Sequence, residues 1–339
     1  MTAPPTLGTQ PWESLILSER PAPAVWAEIF ARLGEIALTA ASPAALHRET
    51  IIPDRILAET AWDLWQSFPT AAPKIIDALR DFWFAPSAST GTAVLILDGL
   101  SLRELPLIVA ASGKRGIAAA RVTVRGSEVP TETDSFAAAL GLPSRSKLFN
   151  NQAPQSFIFA GPDVHTDLLA DPFADCVKRI PAKARVFIWH KWPDKPLIHL
   201  HADRPDGDTV VAAEVKRSLA SDDFWALVNC LRQGRRLIIA GDHGYATACD
   251  FSSEVRDEAR IRLLAGAFGA QRAIREDLGQ PWPRRELPPP VLQFTVGGHT
   301  WLVVLGQRKW KVQGGFPTLC HRGLSLLEAA VPMVEIPAL

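Results

Sequence analysis

The chain has 339 residues, enough for one large α/β domain or two ordinary ones. Hydrophobic residues make up 47% and charged residues 21%, with a formal net charge of zero, so the composition predicts a large core and excludes bulk electrostatic attraction to nucleic acid. No run of 18 apolar residues is present, and the first residues lack the pattern of a signal peptide. The four cysteines are scattered and form no CxxC pair. Together these features predict a cytoplasmic protein with no membrane partner.

The pattern along the chain predicts an N-terminal arm and helical region over residues 1–90 and a larger domain over residues 91–339. Residues 1–21 are rich in proline and are expected to be irregular, whereas residues 22–84 repeat apolar side chains at helical spacing. The stretch 85–91 is predicted to be a linker.

From residue 92, strand-like apolar runs alternate with helical stretches. Strands are predicted at 93–98, 116–124, 155–161, 185–190, 236–244, 290–298 and 300–306, and in the C-terminal run VPMVEI. Helices are predicted at 102–113, 134–140, 165–171, 208–233 and 254–269. This alternation favours an α/β fold with a doubly wound, mostly parallel sheet and helices on both faces. Gly297 and Gly298 predict a hairpin, which we expect as an antiparallel pair at the edge of the sheet.

Two of the predicted strands run directly into carboxylates. Asp98 follows the run AVLIL, and Asp242 follows RLIIAG and precedes His243. A polar turn explains either acid alone, and Ser101 could cap the helix after Asp98. Because parallel α/β sheets bind ligands at the carboxyl ends of their strands, the same positions suit a metal site. Carboxylate oxygen and imidazole nitrogen are suitable ligands for zinc or manganese.

A third group of ionisable side chains follows the predicted strand 185–190. Its members are His190, Asp194, His199, His201 and Asp203. A surface turn rich in His and Asp is one interpretation. Clustering directly after a core strand favours metal ligation instead. Not every member can face the same site, so the sequence leaves open which histidine would bind.

Thr133 lies at the predicted start of a helix, within the stretch PTETDSF. The structural interpretation makes Thr133 the N-cap and Asp134 an acid of the first turn. The functional interpretation uses the same position, because a hydroxyl beside a divalent metal can lose its proton and attack phosphorus.

The C-terminal stretch GGFPTLCHRGLSLLEAAVPMV adds His321. A lone histidine before a helix is usually structural, but here it completes the second of two sets of ligands. Asp98, Thr133, Asp242 and His243 form one set, and Asp194, a histidine from 190–201 and His321 form the other. Two sets predict two metal ions, which lie about 3.5–4 Å apart in catalysts of this kind.

The order of these motifs resembles the alkaline phosphatase superfamily. More narrowly, the stretches VLILDGLSLRELP, VPTETDSF, IAGDHG and CHRGLSLLEAAVPMV resemble a PglZ domain over about residues 92–336. The resemblance implies an alkaline-phosphatase-like sheet, two zinc ions or manganese in their place, and hydrolysis of a phosphoester or phosphodiester. It also implies roles for single residues. Thr133 would be the nucleophile, and the metal ligands would be Asp98, Thr133, Asp242 and His243 at one ion and Asp194, His199 and His321 at the other.

PglZ domains are associated with bacterial phage-defence systems of the BREX type. The resemblance therefore implies a phosphoester substrate, with a nucleic acid or a nucleotide as options, and other defence-system subunits as partners. Two departures stand out: Asp194 and His199 are further apart than the superfamily usually has them, and His-Arg-Gly replaces His-Gly-Gly. Arg322 could clamp a phosphate or mark a weakened site.

The alternative is a catalytically degenerate PglZ-like scaffold subunit of a defence complex. Residues 22–84 and the excursion 275–290 would then carry its contacts. Five basic residues have two interpretations, as solvated surface charges or as a local basic rim. They are Arg145, Lys147, Arg232, Arg235 and Arg236.

Overall fold

The structure is a computed structural model, and it describes residues 11–85, 91–198, 204, 206–247, 253–276, 291–312 and 319–339. Its N-terminal region is helical, as predicted for 22–84. The five helices are α1 Trp12–Ile16, α2 Ala22–Thr39, α3 Pro43–Glu59, α4 Trp62–Ala71 and α5 Ile75–Phe84. Within the described ranges, we find no helix that combines the length and the apolarity needed to cross a bilayer.

A six-stranded sheet forms the centre of the molecule. Its strands are β1 Gly91–Asp98, β2 Arg121–Gly126, β3 Val164–Leu169, β4 Arg185–Pro193, β5 Arg235–Gly241 and β13 Ala330–Ile336. They lie in the order β2-β13-β5-β1-β4-β3. Strand β1 is parallel to β4 and β5, and β3 is parallel to β4, whereas β13 is antiparallel to both β2 and β5. The predicted mostly parallel sheet is confirmed.

Helices cover both faces of this sheet because its central strands are apolar on both sides. Successive side chains of a strand point to opposite faces. In β1, Ala93, Leu95 and Leu97 join one core, and Val94 and Ile96 join the other. The remaining helices are α6 Leu105–Lys114, α7 Thr133–Ala139, α8 Phe173–Cys176, α9 Gly207–Ala220, α10 Asp222–Arg232, α11 Glu258–Phe268 and α12 Leu326–Ala329. Side chains of α6, α9 and α10 pack into the first core and those of α5 and α7 into the second, so the doubly wound arrangement is confirmed.

The N-terminal helices share the first core with the sheet. Trp26 of α2 packs against Trp65 and Phe68 of α4, with ring centroids 4.8 and 4.9 Å apart, and its Nε1 donates to the Leu64 carbonyl at 3.2 Å. Their apolar side chains belong to the same buried cluster as Leu95 of β1. The division of the chain near residue 90 stays a prediction.

Three smaller sheets lie outside the central one. Strands β8 Ala273–Arg275, β9 Val291–Val296 and β10 His299–Val304 form an antiparallel sheet in the order β8-β10-β9. Two-stranded pairs join β6 Ala246–Thr247 to β12 Leu319–Cys320, and β7 Ser253–Glu254 to β11 Arg308–Lys309. The pairing of Cys320 with Ala246 brings the chain around His321 to the chain around His243.

Several predicted elements differ from the structure. The run 155–161 is not a strand, because Phe157 and Phe159 fill the second core from a turn, and β3 replaces the helix predicted at 165–171. The hairpin 290–306 exists, but it belongs to the smaller sheet, and the antiparallel strand of the central sheet is β13. The helix predicted at 208–233 is two helices, since Ser221 caps α10 by accepting from the Phe224 amide.

Candidate active site

Asp98 and Asp242 meet at the carboxyl end of the central sheet. Asp98 ends β1, Asp242 directly follows β5, and these strands are neighbours. Both carboxylates are fully buried, and Asp242 Oδ1 accepts the Gly99 amide at 2.8 Å. The chain at Gly241 passes so close to the Leu100 carbonyl that a β-carbon there would lie 2.2 Å from its oxygen. The helix after Asp98 has Glu104 at its N-cap, so a capping role explains neither Asp98 nor Ser101.

His243 presents one ring nitrogen to both carboxylates. Its Nδ1 lies 2.9 Å from the Gly244 carbonyl, an acceptor, which places the proton on Nδ1 and the lone pair on Nε2. Nε2 lies 3.7 Å from Asp98 Oδ1 and 3.6 Å from Asp242 Oδ2. One ligand atom from each of the three residues lies within 4.8 Å of the others. The first predicted metal set is therefore brought together.

Thr133 faces the same cluster. Its Oγ1 donates to Asp98 Oδ1 at 3.0 Å and lies 3.4 Å from His243 Nε2. The structural interpretation of Thr133 as the N-cap is wrong, because Glu132 occupies that position and Thr133 is the first helical residue. The hydroxyl is thus directed at the acidic cluster rather than at the amides of its own helix.

Asp194 and His321 lie beside the first set. Asp98 pairs with Pro193 across the β1–β4 ladder, which places Asp194 at the same edge of the sheet. His321 Nε2 is 3.9 Å from Asp194 Oδ1, and its Nδ1 lies 3.2 Å from the Thr131 carbonyl. The His321 ring stacks on that of His243, with centroids 4.4 Å apart and planes 24° apart. The two predicted sets are therefore adjacent.

Only one histidine of the 190–201 stretch can be placed, since His199, His201 and Asp203 lie outside the described residues. His190 has both ring nitrogens engaged: Nε2 contacts the Asp171 carbonyl at 3.0 Å and Nδ1 accepts the Trp192 amide at 3.1 Å. Burial lowers the pKa of His190 to about 4. His190 therefore acts as a structural histidine, and the described part of the second set consists of Asp194 and His321.

Arg145 enters the acidic cluster from the short 3-10 segment Arg145–Asn151. Its guanidinium forms an ion pair with the Asp98 carboxylate. Burial lowers the pKa of Arg145, and the negative charges of Asp242 and Asp194 act against that shift. The sequence left Arg145 between solvated surface charge and a local basic rim. That rim does not form, because Arg235 and Arg236 begin β5, at the opposite end of the strand from Asp242.

Glu328 binds the backbone of both segments that carry the site histidines, His243 and His321. Its buried carboxylate accepts the Gly323 amide at 3.0 Å, the Ser325 hydroxyl at 2.7 Å and two guanidinium contacts from buried Arg272 at 3.0 and 3.1 Å. Its carbonyl accepts the Gly244 amide at 2.8 Å. One residue thus fixes the chain after His321 and the chain after His243. The sequence motif contains Glu328, but not its partner Arg272.

Asp54 extends this support to the N-terminal helices. The buried carboxylate on α3 accepts the Leu326 amide and the Gln307 side-chain amide, both at 2.7 Å. Burial raises the pKa of Asp54 to about 7. None of the sequence motifs contains this residue. The available signal was its helical spacing from His47, Thr50 and Leu57, which are all buried on the same helix.

No protein-family model matches the sequence, and no curated protein matches it. The fold is similar to phosphonoacetate hydrolase from Sinorhizobium meliloti 1021, solved in complex with phosphonoformate, at 14% identity and a TM-score of 0.44 over 74% of this chain and 91% of that one. It is also similar to an inactive variant of murine ectonucleotide pyrophosphatase/phosphodiesterase 5 in complex with AMP, at 12% identity and a TM-score of 0.45 over 74% and 88%.

We expect Glu328→Gln to lower the free energy of unfolding by about 3–5 kcal/mol, because it leaves the Arg272 guanidinium buried without its counter-charge. Chemical denaturation followed by circular dichroism measures the change. The matched control is Glu214→Gln, which breaks a solvent-exposed Arg–Glu pair with Arg217 and should change stability by less than about 0.5 kcal/mol. Equal effects of the two substitutions would contradict the supporting role of Glu328.

We expect Asp54 to make stability fall as the pH rises. Because its folded-state pKa of about 7 is above the ordinary value of 3.8, the folded protein binds this proton more tightly than the unfolded chain. The contribution is complete below about pH 4 and is lost as the pH passes 7, at about 1.4 kcal/mol per unit between pH 5 and 6. Denaturation from pH 5 to 8 should show stability falling more steeply in the wild type than in Asp54→Asn by this amount, because the other shifted groups contribute equally to both proteins. Identical slopes would rule it out.

Proposed function

We propose that this chain is a metal-dependent phosphoester hydrolase of the alkaline phosphatase superfamily, with Thr133 as its nucleophile. One observation carries the proposal. Ligand atoms of Asp98, Asp242 and His243 lie within 4.8 Å of one another at the carboxyl ends of two neighbouring parallel strands, and the Thr133 hydroxyl contacts Asp98 in the same place. The sequence motifs that resemble the superfamily are the segments that carry these four residues.

The residues present fit a divalent cation. Asp98 and Asp242 are fully buried, and Asp242 Oδ2 has no hydrogen-bond donor among the described residues. Buried carboxylates are costly unless a cation or hydrogen bonds compensate them. The cluster has three acids when Asp194 is included, and the guanidinium of Arg145 offsets only part of their charge. Two carboxylates and an imidazole with its Nε2 lone pair directed at them are a suitable donor set for zinc or manganese.

Asp98, Asp242 and His243 would hold one ion beside Thr133, and Asp194 and His321 would hold a second, with His199 as the further ligand that the resemblance implies. Bound ions would supply Lewis-acid polarisation of the phosphoryl group and a lower pKa for a neighbouring hydroxyl.

The chain's own groups then carry the reaction. Asp98 Oδ1 holds the proton of the Thr133 hydroxyl, as the hydrogen bond between them indicates. Attack in line forms the bond between Thr133 Oγ1 and phosphorus and breaks the bond between phosphorus and the leaving oxygen, and the proton that Thr133 gave to Asp98 passes through solvent to that oxygen. Water then cleaves the phosphothreonine and releases phosphate or its monoester. Asp98, Asp242 and His243 are fully buried, whereas Thr133 is only partly buried, so the hydroxyl lies where a substrate and the hydrolytic water can reach it.

The finer proposal is a PglZ-type phosphodiesterase of a bacterial phage-defence system, acting in the cytoplasm on a nucleic acid or a nucleotide with other defence subunits as partners. Its support is the motif resemblance. A scaffold subunit is the second candidate. What favours it is that the Arg145 guanidinium forms an ion pair with Asp98, a ligand of the first set.

We expect Thr133→Ala to lose roughly 10³-fold or more in kcat, because the attacking oxygen is removed, while the zinc content stays unchanged. Thr133→Ser should keep measurable turnover. Hydrolysis of bis-p-nitrophenyl phosphate and p-nitrophenyl phosphate with added Zn²⁺ or Mn²⁺, together with elemental analysis, measures both quantities.

The matched control is Thr70→Ala, on the exposed side of α4, which should leave kcat unchanged. Wild-type turnover by Thr133→Ala would overturn the nucleophile assignment. A purified wild-type protein without bound divalent metal and without turnover would instead favour the scaffold.

A further inference from the structure

Arg322 adopts a backbone conformation that suits glycine. Its φ is +86°, and the other described non-glycine residues with positive φ are Asn150 and Asn151. Asparagine tolerates the left-handed region because its short polar side chain can hydrogen-bond to the nearby backbone, whereas arginine is strained there. Strain of this kind persists only where the surrounding structure enforces it, and it is concentrated at functional sites. Arg322 directly follows His321, so the contacts that enforce its backbone conformation lie beside the site.

The backbone of Arg322 is bound to the loop before Thr133. The Arg322 amide lies 3.0 Å from both the hydroxyl and the carbonyl of Thr131. The Thr131 hydroxyl in turn donates to the Gly323 carbonyl at 2.8 Å. Thr131 is fully buried, so these bonds are shielded from water.

The side chain of Arg322 makes a second attachment to the same loop. Its Nη2 lies 2.5 Å from Glu132 Oε2, and the Glu132 side chain is only 4% exposed. Its Nη1 donates to Gln271 Oε1 at 2.6 Å. The guanidinium is thus engaged by protein groups on two sides. This contact pattern differs from the phosphate clamp that the sequence suggested for Arg322.

The two partners of this ion pair are each adjacent to a residue of the site. Glu132 is the N-cap of α7 and directly precedes Thr133, and Arg322 directly follows His321. The pair therefore spans the gap between the loop that carries the nucleophile and the loop that carries a ligand of the second set. Thr133 Oγ1 contacts Asp98 and His243, so a small displacement of the Glu132 loop moves the hydroxyl relative to both.

We propose that Arg322 is a positioning residue for Thr133. Its ion pair with Glu132 holds the loop that carries Thr133, and the strained backbone at Arg322 places the guanidinium for that ion pair. The inference rests on the proposed function, since it assigns Arg322 to the same reaction. Glycine at 322 would relieve the strain but would lose the ion pair. A merely structural arginine would therefore be replaceable by glycine without loss of turnover.

The test compares Arg322→Gly, Arg322→Lys and Glu132→Gln with the wild type, well below every unfolding midpoint. We expect Arg322→Gly to lower kcat by about 10- to 100-fold with KM within about threefold, because the nucleophile is misplaced rather than the substrate released. Its unfolding midpoint should fall, because the buried Glu132 carboxylate loses its counter-charge, and this is why turnover is compared well below that midpoint. The kcat of Arg322→Lys should lie between that of the wild type and that of Arg322→Gly. The double variant Arg322→Gly with Glu132→Gln should lose no more kcat than either single variant, because both substitutions break the same ion pair.

The matched control is Arg20→Gly, which removes an exposed ion pair of the same 2.5 Å length with Glu28, far from Thr133 in the chain, and should leave kcat unchanged. The second readout is hydrogen exchange of the amides at 129–140, which should be faster in Arg322→Gly and not in Arg20→Gly.

The outcomes separate the two proposals. An active wild type with kcat unchanged in Arg322→Gly overturns the positioning role and leaves the hydrolase intact. A wild type without metal-dependent turnover refutes the hydrolase. In that case hydrogen exchange alone tests whether Arg322 attaches the two loops. Faster exchange in Arg322→Gly would support the attachment, and unchanged exchange would contradict it.

Discussion

The contact between the ends of β1 and β5 is the constraint on which the site depends. The Gly99 amide donates to Asp242, and the close approach of Gly241 to the Leu100 carbonyl leaves no space for a side chain at that crossing. Two buried strands held in register therefore present Asp98 and Asp242 to each other before any ligand is considered. The flanking strand β4 adds Asp194 at the same edge. The fold thus concentrates negative charge at one place, and the rest of the site consists of groups that compensate it or use it.

The groups around this charge come from chain segments that are distant in sequence. The Arg145 guanidinium forms an ion pair with Asp98, and the rings of His243 and His321 stack on each other beside the acids. The two histidines meet because β12 pairs with β6 and because Glu328 binds the chain behind each of them. Since Glu328 and Arg272 are both buried, this support is rigid only while the ion pair is intact. The positions of the imidazoles are therefore coupled to the salt bridge between Glu328 and Arg272.

Local pattern and strand ends account for the part of the structure that the sequence predicts. Apolar runs locate β1, β4 and β5, and the rule that parallel strands bind ligands at their carboxyl ends singles out Asp98, Asp194, Asp242 and His243. The sequence does not predict that Phe157 and Phe159 fill the core from a turn, because an apolar aromatic run fits a strand equally well. It also misses Asp54 and treats Arg145 as surface charge. Both roles depend on contacts between residues that are far apart in the chain, which periodicity does not report.

Asp54 also bears on how the helical region relates to the site. Its carboxylate binds the Leu326 amide at the start of α12, and Glu328 lies two residues further on. Helix α3 is thus one step from the residue that holds the His321 and His243 loops. The sequence predicts the N-terminal helices as a region separate from the domain that carries the site. This contact instead ties α3 to the C-terminal segment that carries His321. A helical region that served only to bind partners would not need a buried acid at this position, so its packing against α12 argues for a role in keeping the site in shape.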